Sequence, residues 1–109
     1  MFHMLNCFNL KAGIELDDFQ GSLEELDKHF RKIGLVHSTG RIGRRQRHPV
    51  MDTDDERNHE YFFVMTFENR AQCDRSIEHI YAGEEPGHSI HRAVWQKVDS
   101  PVFICWEDV

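Results

Sequence analysis

Histidine is the side chain best suited to moving protons near neutral pH, and the chain carries eight. Two of them stand where general-base chemistry could use them. His3 alternates with Leu5 and Cys7 along "FHMLNCFNL", so it interrupts an otherwise apolar wall. His88 follows the break "EEPG" and opens a helical stretch, where the positive end of the helix dipole favours a neutral imidazole. A neutral imidazole can take a proton from a bound molecule. The competing reading is two ordinary histidines satisfied by backbone or water. His88 and His91 would also share a helical face at i,i+3, but the sequence supplies no obvious third metal ligand. Cys7, Cys73 and Cys105 are odd in number, far apart and free of any CxxC pair. They read as buried, reduced thiols of a cytoplasmic protein rather than a disulfide framework or zinc site. No Gly-rich phosphate loop, Ser-His-Asp set or Cys-His nucleophile pattern is present, and neither cofactor nor metal is expected.

The most charged stretch is "RIGRRQRHPVMDTDDERNHE", Arg41 to Glu60. Arg41, Arg44, Arg45 and Arg47 could grip a phosphate backbone. The acids from Asp52 to Glu60, offset only by Arg57, cancel them within one hairpin, and the whole chain still carries −6. A nucleic-acid binder has a basic field that survives this sum. The stretch therefore reads as a solvated hairpin tip on a mobile loop, with no nucleic-acid partner.

These side chains must be positioned by one domain spanning 1–109, long enough for a core without staples. Composition is that of a globular protein, 39% hydrophobic and 29% charged. No apolar run approaches a membrane span of ~18 residues, and the start lacks the features of a signal peptide. Residues 2–10 alternate as a strand, with Phe2, Met4, Phe8 and Leu10 on one face and Leu5 and Cys7 on the other. Phe19, Leu23, Leu26, Phe30 and Ile33 form one stripe of a helix opened by Asp17-Asp18 and stopped by Gly34. Within it, Ser22-x-x-Glu25 has the form of a capping box that would begin the regular helix. A second strand runs from Leu35 to about Arg47, and "EYFFVMTFE" is a third. Asn69 then caps a second helix, with Gln72 three residues on. A shorter helical stretch carries Ile90, Val94 and Val98, and "VFICWED" is the fourth strand.

The order β-α-β-β-α-β gives an α+β, ferredoxin-like, four-stranded antiparallel sheet with both helices on one face. Strands one, three and four are apolar on both faces. Leaving about five large side chains in water would forgo ~1.5–3 kcal/mol each, so a second copy is expected to cover the open face. The face carrying Phe2, Met4 and Phe8 is assigned to that homodimer.

The His in "FHML", the run "VMTFEN" into helix two, and "PGH" (Pro86-Gly87-His88) resemble the stress-responsive A/B barrel (Dabb) proteins. These belong to the dimeric α+β-barrel superfamily, with the antibiotic-biosynthesis monooxygenases as relatives. The resemblance implies a homodimer that holds a small, hydrophobic ligand between sheet and helices. Many members have no known activity. In cyclase-like members a His of the Pro-x-His motif acts with a Tyr as acid and base, near a strand-one His. The matching positions are His88, Tyr81 and His3, with extra residues between "TFEN" and "PGH". Haem-degrading relatives use a strand-one Asn, a His and a Trp, which directs attention to Asn6 and Trp95; alternation puts Asn6 toward the expected dimer face. Two functions follow: a stress-responsive binding protein without catalysis, or a cofactor-independent cyclase- or monooxygenase-like enzyme. A cavity lined by His3, Leu5, Cys7, Tyr81 and His88 would favour the enzyme.

Overall fold

Alternating apolar side chains from Phe2 to Leu10 form β1, the central strand of the sheet, in a computed structural model that describes residues 1–109. Around it run α1 (Leu16–Lys32), β2 (Ser38–Thr39), β3 (Gly43–Arg44), β4 (Tyr61–Phe67), α2 (Arg70–Tyr81), α3 (Gly87–Trp95) and β5 (Val98–Glu107). The sheet is antiparallel with order β2-β4-β1-β5, and β3 also pairs with β4. This is the ferredoxin-like arrangement. β2 and β3 are halves of the single second strand expected from sequence. Thr39 and Gly43 are four positions apart, while their partners Met65 and Phe62 are three apart. The extra residue interrupts the ladder as a bulge does.

Helix boundaries follow local chemistry. Gly34, at φ +76°, ends α1 in the left-handed conformation, and Leu35 N–H returns to the Phe30 carbonyl at 2.8 Å. The Asn69 side chain accepts from Gln72 N–H at 2.9 Å, as expected of the cap of α2. The Gln72 side chain in turn accepts from Glu68 N–H and donates to the Gly34 carbonyl, tying α2 to the end of α1. Ser22 is not a cap. α1 already begins at Leu16, and Ser22 receives a hydrogen bond from Lys97 at 3.1 Å.

The expected face assignment is reversed. The core lies between the helices and the face carrying Phe8 of β1 and Tyr61, Phe63, Met65 and Phe67 of β4, with Phe2 and Met4 packed at its edge. In register, Phe2 faces Phe67, Met4 faces Met65, and Phe8 faces Tyr61. The bulkier set of side chains is the one the helices cover. The open face instead carries His3, Leu5 and Cys7 in β1, Phe62, Val64 and Thr66 in β4, and Val102, Ile104 and Trp106 in β5. Ile104 and Trp106 are 41% and 42% exposed.

The arginine hairpin is tied down. The Arg45 side chain is only 10% exposed and pairs with both Asp52 carboxylate oxygens, at 2.7 and 2.6 Å. It also donates to the Asp54 and Arg57 carbonyls, and Arg47 donates to the same two. These guanidinium donors serve the loop's own backbone and cross-link it. Asp52 is held below the usual carboxylate range by its hydrogen bonds from Arg45.

Candidate functional site

A cavity of about 480 Å³ opens between the sheet and the helices. Its floor is Met4, Met65, Phe67 and Phe103, all on the helix-facing side of the sheet. Its roof is the inner stripe of α2 (Cys73, Ser76, Ile77, Ile80) with Leu26 and Phe30 of α1 and Trp95 of α3. That stripe recurs at helical spacing and so faces one way. Trp95 stands edge-on to Phe103 with centroids 5.2 Å apart and also contacts Phe63. Volume and lining are those of a small-molecule pocket, ~300–1,000 Å³ and mostly apolar.

Twelve of the fifteen lining residues are hydrophobic. Ser76, Tyr81 and His91 provide the polar side chains. Tyr81 is 85% exposed and stands at the rim. His91 is half-buried, and loss of hydration pushes its imidazole below the ordinary value of 6.5, with the neighbouring His88 acting the same way. His91 is therefore neutral at pH 7 and has a lone pair for a donor. Burial also pushes the Cys73 thiol up. Cys73 is thus a protonated, apolar wall group.

Of the three residues expected to act together, Tyr81 alone lines the cavity. His88 stands behind the lining and donates from Nδ1 to the Ile80 carbonyl at 3.3 Å. Gly87 before it is buried, and a Cβ there would come 2.7 Å from His79 Nε2, so a larger residue at that position would require the His79 side chain to shift. His3 lies on the opposite side of the sheet. Its Nε2 donates to Asp108 at 2.8 Å, its Nδ1 pairs with the Thr66 hydroxyl at 3.1 Å, and its ring stacks on Trp106. The sheet therefore separates His3 from the cavity, and one small molecule cannot touch both His3 and His88. Leu5 and Cys7 go with His3.

Sequence reasoning weighed His91 only as a metal ligand beside His88, not as a cavity residue. The signal was present: with Ile90, Val94 and Val98 read as one stripe, His91 and Trp95 form the adjacent i,i+4 pair. Asn6, expected on the dimer face, is fully buried on the helix-facing side. Its Nδ2 donates to the Met4 and Phe63 carbonyls, while Oδ1 has no partner. No three His, Cys, Asp or Glu side chains come together as a metal site.

The architecture is that of the dimeric ferredoxin-like α+β proteins. No protein-family model matches the chain, and no curated protein does. Solved structures match over nearly the whole chain. An Arabidopsis thaliana protein superposes with TM-score 0.73 at 10% identity, covering 100% of this chain and 96% of its own. A dimeric ferredoxin-like protein of unknown function from Jannaschia sp. gives 0.65 at 15% identity, covering 98% of each. The hydroxynitrile lyase of Passiflora edulis gives 0.64 at 11% identity, covering 96% and 90%. At these identities the likeness is one of fold.

Proposed function

We propose that the protein is a homodimer that binds a small hydrophobic molecule between its sheet and helices. The apolar cavity of about 480 Å³ carries this reading. An empty apolar space forfeits packing contacts, so a fold that keeps one gains from an occupant. The dimer uses the open sheet face, where Leu5, Val64, Ile104 and Trp106 await cover. The dimeric Jannaschia protein supports that pairing. Crystals soaked with small aromatic fragments should show density between Met4, Met65 and Trp95. A cavity that stays empty at millimolar fragment, with no rise in melting temperature, overturns the reading.

A second reading has one observation in its favour: Tyr81 and His91 line the same cavity. In it the protein is a cofactor-independent enzyme, cyclase- or monooxygenase-like, acting on a small hydrophobic or aromatic molecule. His91, in the place expected of His88, accepts a proton, and the Tyr81 hydroxyl donates one. His88 serves by holding the Ile80 carbonyl, and His3 belongs to the dimer interface. The Passiflora lyase supports this reading to the extent that an enzyme is built on the same fold.

A further inference from the structure

We infer that the cavity selects uncharged aromatic molecules such as phenols, aldehydes or ketones, and rejects their carboxylate counterparts; this rests on the cavity being a ligand site. No Lys, Arg, Asp or Glu lines it. Its polar side chains are two hydroxyls, Ser76 and Tyr81, and the imidazole of His91. A carboxylate entering such a space loses its hydration and meets no cation, a penalty far beyond tenfold in affinity. His91 does not supply that cation, because burial favours its neutral form. Arg75 and Arg92, on the same helices, are exposed and line none of the cavity. Along the chain Tyr81 is flanked by Glu78 and Glu84, both exposed, and the whole molecule carries −6. Both work against the approach of an anion. An uncharged ligand leaves nothing unpaired: its ring packs on Met4, Met65, Phe103 and Trp95, and its one polar group reaches Ser76, Tyr81 or His91. Thioether and aromatic walls favour a ring over an alkyl chain.

The test uses the full chain and a matched pair, 2-naphthol and 2-naphthoate, at a pH of about 7.5, where a phenol is neutral and a carboxylic acid ionised. Calorimetry should give 2-naphthol an affinity at least tenfold higher. Ile77 lines the cavity and is 43% exposed, so a longer side chain fits there. Ile77→Lys should raise naphthoate affinity at least tenfold, and Ile77→Gln should not. Tyr81→Lys places the same charge at the 85% exposed rim and serves if Ile77→Lys fails to fold. Equal binding of the two probes by the natural protein, or no gain for naphthoate in the lysine variant, overturns the inference and leaves the cavity reading standing. If neither probe binds, the cavity reading itself falls, and this inference with it.

Discussion

At the residue scale, His91 shows how environment rather than residue type makes a base. Eight histidines share the same intrinsic chemistry; this one is half-buried against Trp95 and beside His88. Its folded value lies below the ordinary 6.5, so the unfolded chain binds the proton first as pH falls. Stability should therefore fall as pH drops from about 6.5 toward the lower folded value. It should hold steady above, and His91→Gln should flatten that slope. Two-dimensional NMR of the imidazole should place the His91 midpoint below the ordinary 6.5. A midpoint at or above that value would contradict the burial. Arg45 makes the same point in the other direction, since its surroundings favour the charged form. Its identity in a basic run was plain in sequence, but its task of pairing Asp52 and holding the Asp54 and Arg57 carbonyls depends on how the hairpin closes.

At the element scale, α2 matters most, because its inner stripe is the roof of the cavity and its first turn is pinned twice. Asn69 caps it, and Gln72 bonds to both Glu68 and Gly34. Asn69→Ala should lower stability by about 1 kcal/mol in urea unfolding. Fragment binding should weaken with it, since Cys73 and Ser76 sit within the first two turns after the cap. A change within about 0.3 kcal/mol would mean that tertiary packing alone holds the helix start. The elements themselves were legible because their signals are local: a cap residue, a glycine after the last turn, a stripe of spacing three and four. The second strand was not fully legible. Its single extra residue shows only against the fixed register of β4, which is information from another strand.

At the scale of the whole molecule, one sheet has two apolar faces and helices enough for one. The uncovered side holds Leu5, Val64, Ile104 and Trp106 around the His3–Asp108 pair. Light scattering should give twice the chain mass of 12.9 kDa at micromolar concentration. Ile104→Asp should give a folded monomer, because Ile104 is 41% exposed in the single chain and supports little of its core. A natural protein that stays monomeric, or an Ile104→Asp dimer, would place the partner elsewhere or remove it.

The amino-acid order alone determined the element succession, the antiparallel sheet, the Asn69 cap and the Gly34 stop, the cancellation of charge in the hairpin and the presence of two apolar strand faces. Each of these is written in the spacing of neighbouring residues. Which face the helices cover was decided only by the tertiary structure. Alternation sorts Phe2, Met4 and Phe8 from His3, Leu5 and Cys7, but it assigns neither set an inside. That choice comes from volume: the aromatic set of β4 is the one that fills the space beneath α1 and α2. It carried His3 away from the cavity, and the rotation of α3 turned His91 rather than His88 toward it. A site at the meeting of three helices and a sheet depends on which way each element faces, and facing is a property of packing, not of sequence spacing.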